Sequence, residues 1–308
     1  MSMPTRRSFL LGTSGLLVLT ACGSEGSSVS GSAAKKKVGP LGISAIPDQD
    51  PELLNRLYPA LAEGMSNATD LKVDYKPVTD YTAVVRAFEV GDIYLAWMGG
   101  LTGVQARARV PGATAIAQRD IDADFHSLFI ATKKSGLKSF DNVSGLTSLA
   151  DHTLTFGSDT STSGRLMPQY FMQQGGFDQD NLKGSPGFSG SHDATIEAVA
   201  TGSFEVGAVN EQVWEATKAE GKVDLSNVVV LFRTPGYADY HWLARPDLDK
   251  VFGAGTTKKV TDFLLGLDVA NKDDATILKL FGAKTFIETK NANYDQIEAV
   301  AKEQGLLA

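Results

Sequence analysis

Tyr81-Thr82-Ala83-Val84-Val85-Arg86-Ala87-Phe88-Glu89-Val90 is followed by Gly91-Asp92 and then by Ile93-Tyr94-Leu95-Ala96-Trp97-Met98. The first run places Val84, Val85 and Phe88 on one side of a helix, and the last is an apolar run of strand length. Gly91 separates them. Helix, glycine and strand joined with almost no loop is the signature of a βαβ unit in an α/β fold. The arrangement recurs later. Asp193 to Thr201 reads as a helix, Gly202 follows, and Glu205 to Val209 reads as a strand. The shared letters Phe88-Glu89-Val90-Gly91 and Phe204-Glu205-Val206-Gly207 fall in different registers of the two units, so they do not mark a repeat.

Working outward, Leu41 to Ile46 reads as a buried strand. Pro51 opens an amphipathic helix carrying Leu53, Leu54, Leu57 and Leu61. Leu71 to Tyr75 alternates and is a strand. The pattern restarts with strands at Ser127 to Thr132 and Thr153 to Gly157 and a helix at Thr162 to Gln174. A further strand lies near Phe232, and the chain is mostly helical after Asp247. Strand-like crossings near Arg119–Phe125 and Phe232–Tyr240 divide the body into two lobes, 38–122 plus 233–308 and 123–232. In open α/β sheets, ligands bind beyond the carboxyl ends of the strands, and here those ends would face each other across a cleft.

Composition narrows the function. The chain has 308 residues, with 29 Lys+Arg against 36 Asp+Glu and a net charge of −7. That balance argues against a nucleic-acid partner, which needs a basic footprint. The single cysteine, Cys22, excludes an internal disulfide and a paired-cysteine zinc or redox site, and four histidines argue against a multi-histidine metal centre. No cofactor or metal is expected. No nucleophile elbow, P-loop, zincin motif or dinucleotide fingerprint occurs, so an enzyme is not expected either.

The N-terminus reads as targeting sequence. Arg6-Arg7 precedes an apolar stretch from Phe9 to Leu19 that is too short to span a bilayer and has the layout of a signal peptide over residues 1–21. Thr5-Arg6-Arg7-Ser8-Phe9-Leu10 looks like a twin-arginine export signal. Leu19-Thr20-Ala21-Cys22 resembles a bacterial lipobox, which implies lipidation of Cys22 and anchoring to the outer face of the cell membrane. Residues 22–37 are rich in Ser and Gly, end in Lys35-Lys36-Lys37, and would form a flexible tether spanning about 20 Å.

The most informative segment for chemistry is Thr155-Phe156-Gly157-Ser158-Asp159-Thr160-Ser161-Thr162-Ser163-Gly164. A strand ends, hydroxyls accumulate and a helix begins, so backbone N–H groups, the helix dipole and the hydroxyls of Ser161, Thr162 and Ser163 suit an anion. A simple helix cap is the competing reading, but a cap needs only one hydroxyl. His192, at a second helix start, could donate to the same anion and supply charge if protonated. Tyr81 could bring a phenol from the other lobe. Gly99 and Gly100 could bring backbone N–H groups close to a ligand, or could be only a tight turn. Asp239 and Tyr240 lie beside the second crossing. His126 and Asn210 are weaker candidates.

Asp80-Tyr81, Trp97-Met98-Gly99-Gly100, Phe125-His126-Ser127, Phe156-Gly157 through Ser161-Thr162-Ser163-Gly164, and His192 occur in an order that resembles the phosphonate/phosphite family of ABC-transporter substrate-binding proteins. Ser44-Ala45-Ile46-Pro47-Asp48-Gln49-Asp50 and Gly99-Gly100-Leu101-Thr102-Gly103-Val104-Gln105-Ala106-Arg107 are similar to a branch labelled selenate-binding. The resemblance implies a bilobal type II periplasmic-binding-protein fold and an ABC permease with its ATPase as partner; a monomer is expected because a hinge-bending receptor must expose both lobes. It implies that Tyr81 contacts the anion from one lobe, that Ser161, Thr162, Ser163 and His192 hold it from the other, and that Asp239 accepts a ligand hydroxyl. Phe125 departs from the family's aromatic hydroxyl. Gln212 stands in for an acid that would suit a ligand amino group, which favours a small inorganic oxyanion over an aminoalkylphosphonate. A sensor docking on a membrane histidine kinase, or a binder of a larger organic anion, remains open at this stage.

Overall fold

Strand, helix and glycine alternate where the periodicities place them, and they build two sheets. The computed structural model describes residues 39–307. The expected signal peptide, lipidation at Cys22 and flexible tether fall on residues outside the described ones. The chain begins with β1 (Leu41–Ala45), α1 (Pro51–Thr69), β2 (Val73–Tyr75), α2 (Tyr81–Val90), β3 (Leu95–Met98), α3 (Gly100–Arg109) and β4 (Thr114–Arg119). Then follow β5 (Ser127–Thr132), β6 (Leu154–Phe156), α4 (Met167–Gln174), β7 (Gly187–Phe188), α5 (His192–Ala200), β8 (Val206–Asn210), α6 (Glu211–Glu220) and β9 (Val228–Arg233). The last stretch is β10 (His241–Ala244), α7 (Leu248–Phe252), α8 (Thr256–Leu265), α9 (Lys272–Phe281), β11 (Phe286–Ile287) and α10 (Asp295–Glu303).

The first sheet runs β11-β4-β10-β3-β1-β2 and the second β7-β6-β8-β5-β9. β1 pairs in parallel with both β2 and β3, as βαβ units require. β10 enters antiparallel between β3 and β4. Every residue of β1, β3, β5, β8 and β10 is buried, which is why these segments read as continuous apolar runs rather than alternating ones. α1 starts where Pro51 predicts, with Asp50 accepting from the Glu52 and Leu53 N–H groups.

The chain leaves the first sheet after β4 and rejoins it at β10. The first crossing is not strand-like: Asp120–Asp124 is a 3-10 turn. A short bridge between Phe125 and Tyr237 then ties the two crossings together. The turn is set by Asp122, whose carboxylate accepts from the Arg119 N–H at 3.0 Å and folds the acidic stretch back on itself.

Two elements had no sequence signal. Gly99-Gly100 is not a tight turn but the start of α3, and β11 is a two-residue strand on the edge of β4. The carboxyl ends of β1 and β3 in one sheet, and of β6 and β8 in the other, lead directly into the segments that form the site. Away from the crossings, the hydrogen bonds that span the cleft include Leu101 N–H to Thr162 Oγ1 at 2.9 Å, His192 N–H to the Asp48 carbonyl at 3.2 Å, and Gln304 Nε2 to Gln173 Oε1 at 3.4 Å. The cleft is therefore closed. Among the described residues no helix is long and apolar enough to cross a membrane.

Candidate functional site

The hydroxyl-rich segment forms a single buried turn between β6 and α4. Residues Thr162–Leu166 take a π-helical turn that runs straight into α4. Each hydroxyl has its own job. Ser161 is the cap, its Oγ accepting from the Gly164 N–H at 2.9 Å. Thr162 Oγ1 accepts from Leu101 across the cleft. Ser163 Oγ lies 3.4 Å from His192 Nε2, while the Ser163 carbonyl accepts from Ser127 Oγ at 2.7 Å. The capping reading thus accounts for one of the three hydroxyls and leaves the other two to the cleft.

His192 opens α5 and is fully buried. Its Nδ1 accepts from the Asn210 N–H at 3.3 Å, so the ring proton sits on Nε2. Nε2 faces Ser163 Oγ and the Tyr240 hydroxyl, each at 3.4 Å. Burial pushes the imidazole down to about 3. The expectation that His192 could supply charge is corrected: it is a neutral N–H donor. Gly164 lets the ring approach, since a Cβ there would stand 3.0 Å from His192 Cε1.

The facing wall belongs to the first sheet. Asp80 caps α2, and burial beside it raises the Tyr81 phenol well above its usual value, so it keeps its proton. Asp239 accepts from the Gly100 N–H through Oδ1 at 2.9 Å. Burial pushes its carboxyl up to about 7, against the pull of the Gly100 N–H. Among the described residues, the Tyr81 hydroxyl and Asp239 Oδ2 are both buried and have no hydrogen-bond partner. Leaving a buried donor and a buried acceptor unpaired is costly, and a ligand carrying both an oxyanion and a hydroxyl would satisfy both.

The remaining candidates support this arrangement instead of lining it. Of the Gly99-Gly100 pair expected to bring N–H groups to a ligand, the Gly100 N–H is taken by Asp239, and the next N–H, that of Leu101, by Thr162. Gly99 contributes bareness: a Cβ would lie 3.0 Å from Thr162 Oγ1 and 3.3 Å from Asp239 Oδ1. Asn210 caps α6 through Oδ1 and donates from Nδ2 to the Tyr240 hydroxyl at 3.0 Å. His126 lies at the crossings, where Nδ1 donates to the Thr234 carbonyl at 2.7 Å and Nε2 stands 3.5 Å from Asp124. Gln212 is not beside the anion turn. It accepts from Arg119 at 3.4 Å and packs against Gly282, so it says nothing about a ligand amino group.

Two features escaped the sequence reading. Asp48, quoted only as part of a phrase, is 3% exposed at the cleft. Arg119, also 3% exposed, forks onto Asp122 at 2.8 and 2.7 Å and donates to the Phe281 carbonyl at 2.7 Å. Its guanidinium lies 4.8 Å from the Tyr240 ring centre and is flanked by Trp97 and Phe125. The spacing of Arg119 and Asp122, three residues apart on one turn, was the available signal.

Known proteins share this architecture and much of this sequence. A family model described as the periplasmic substrate-binding protein of phosphonate ABC transporters matches residues 43–294. A Prochlorococcus marinus protein described as a probable ABC-transporter phosphite-binding protein is 44% identical over 264 residues, covering 85% of this chain and 89% of that protein. The solved structure of that organism's PhnD1 in complex with methylphosphonate superposes with a TM-score of 0.85 at 43% identity, covering 87% of this chain and 98% of the other. A phosphate-import protein of Mycolicibacterium smegmatis is 25% identical over 256 residues, covering 80% of this chain and 73% of that protein. Two sheets joined by a double crossing, a buried hydroxyl turn and an extended match to these relatives lead to one conclusion: the chain belongs to the periplasmic substrate-binding proteins of phosphonate ABC transporters.

Proposed function

We propose that this protein captures a small tetrahedral oxyanion of the phosphite and methylphosphonate class between its lobes, 38–122 plus 233–308 and 123–232, while tethered to the membrane through a lipid on Cys22. As a family member it is an exported binding protein that serves an ABC permease and its ATPase. The observation that carries the ligand class is the pairing of neutral donors with one partnerless acceptor. Ser163, the His192 N–H and the Tyr81 hydroxyl can donate, and Asp239 Oδ2 can accept. The methylphosphonate and phosphite relatives support the same class.

The geometry does this work by substituting for water. Closure buries the anion, and fixed O–H and N–H donors replace its hydration shell without bringing a full positive charge. A fully deprotonated anion needs donors only. One that keeps a hydroxyl also needs an acceptor, and Asp239 supplies it. Lobe closure is then the signal a permease can read.

The test is thermal stabilisation of the full-length protein in detergent by phosphite, methylphosphonate, phosphate, aminoethylphosphonate, sulfate and selenate. A ligand at 100 times its Kd adds about 2.7 kcal/mol. A shift with the first two is the expected result, and no shift with any of the panel sinks the reading. Asp239→Asn should weaken binding of hydrogen methylphosphonate by about 100-fold while leaving sulfate and selenate within a few-fold, because an amide presents a donor to the ligand hydroxyl. Equal losses for both kinds of anion would remove Asp239 from the site. Cys22→Ser should move the protein from the membrane fraction to the soluble one; retention in membranes would refute the lipid anchor.

A further inference from the structure

Among the described residues the fully buried charged side chains are three acids, Asp48, Asp122 and Asp239, and one base, Arg119. Arg119 is already committed. Two of its nitrogens fork onto Asp122 and a third donates to a carbonyl. Asp239 has Gly100 N–H on one oxygen. Asp48 has no cation of its own, yet it lies where the lobes meet: its carbonyl accepts from the His192 N–H across the cleft. Adding an anion to such a closed space adds negative charge to a cluster in which the buried acids already outnumber the one base by two.

The neighbours of Asp48 decide what form it takes. Tyr58 of α1, Tyr75 of β2, Tyr81 of α2, Arg119 of β4, Asp193 of α5 and Tyr240 all bear on it. The Tyr240 oxygen accepts from Asn210 Nδ2 at 3.0 Å and faces the Nε2–H of His192 at 3.4 Å, which leaves its own proton free to point at Asp48. That hydroxyl and the distant pull of Arg119 both favour the carboxylate, and Asp193 opposes it. Burial outweighs the two and pushes Asp48 up to about 6.

We propose that Asp48 takes up a proton when the lobes close on an anion, so that ligand capture is proton-linked and Asp48 tunes its affinity from a position behind the donors. This rests on the oxyanion reading of the same cleft. The sign follows from linkage. A carboxyl whose value is higher in the closed state than in the open one favours closure when protonated. Affinity should strengthen as pH falls through about 6 toward about 4, and the full cost of burying the carboxylate should be present at about pH 7.5.

Removing the charge should therefore help. With full-length protein in detergent and methylphosphonate as probe, Asp48→Asn should bind at least about tenfold more tightly than wild type at about pH 7.5. The gap should shrink by about tenfold by about pH 4.5. Calorimetry in two buffers of different ionisation enthalpy should show wild type taking up close to one proton more than Asp48→Asn at about pH 5. If Asp48→Asn does not fold, Asp239→Asn decides: uptake retained there supports Asp48, and uptake lost there overturns the proposal. A variant that binds no better than wild type, or a gap that is the same at every pH, also overturns it while leaving the oxyanion reading intact. If wild type binds neither methylphosphonate nor phosphite at any pH, the oxyanion reading fails and the proposal fails with it.

Discussion

Arg119→Met should lower the melting temperature of the protein by about 10 °C. The guanidinium is buried, holds Asp122 through two nitrogens and supports the Phe281 carbonyl with a third. Asp122 also accepts from the Arg119 main-chain N–H, so its carboxylate stays in place after the substitution but loses its counter-charge. Breaking one side of a buried pair costs about 3–5 kcal/mol, because the surviving charge has nowhere to go. For a chain of this size, each kcal/mol moves the midpoint by about 2–4 °C. Burial alone works against the arginine's charge, but Asp122 more than offsets it, so Arg119 stays protonated at any working pH. The double variant Arg119→Met, Asp122→Leu should recover most of the loss, since an apolar pair of similar volume removes the stranded charge. A single variant melting within about 2 °C of wild type would show that the pair contributes little.

Gly99→Val should leave the ligand-free protein about as stable as wild type and yet weaken methylphosphonate binding by more than about 100-fold. The backbone at Gly99, with φ −72° and ψ 165°, suits valine, so the main chain itself is not strained. The tighter obstacle is across the cleft. The first carbon of any side chain would already stand 3.0 Å from Thr162 Oγ1 of the facing lobe, against 3.3 Å from the Asp239 Oδ1 of its own lobe, whose side chain can give by a few tenths of an ångström, and valine adds two more carbons. The lobes would be held apart, the Leu101 to Thr162 hydrogen bond would be lost, and the donors of the second lobe would not reach an anion held by the first. Melting curves without ligand, together with titration calorimetry, separate the two effects. An affinity unchanged from wild type would mean that the closed arrangement is not the one that holds the ligand.

Much of this was legible before any coordinates. The buried strands announce themselves as apolar runs bounded by glycine, because both faces of each sheet are covered. Ser161, Thr162 and Ser163 stood out because a cap uses one hydroxyl and the chain offers three. What stayed hidden depends on contacts between distant segments. Arg119 meets Phe281, 162 residues away, and nothing near either one signals the meeting. Asp48 looks like a loop acid until the second lobe closes over it. The Gly99-Gly100 pair suits either donors to a ligand or a tight turn, but the fold starts α3 there and spends the Gly100 and Leu101 N–H groups on Asp239 and Thr162. The first crossing was read as extended because a short acidic turn of Asp120–Asp124 has no periodicity of its own. Gln212 stands out only through family resemblance, and in the fold its side chain meets Arg119.

Neighbouring amides at the start of α3 differ in where their acceptors come from. Gly100 N–H is held by Asp239, whereas Leu101 N–H is held by Thr162 from across the cleft. In deuterated solvent, the Gly100 amide should exchange slowly whether or not ligand is present. The Leu101 amide should exchange at a rate set by how often the lobes part, so the two positions, side by side in one peptide, form a clock and its control for the frequency of opening.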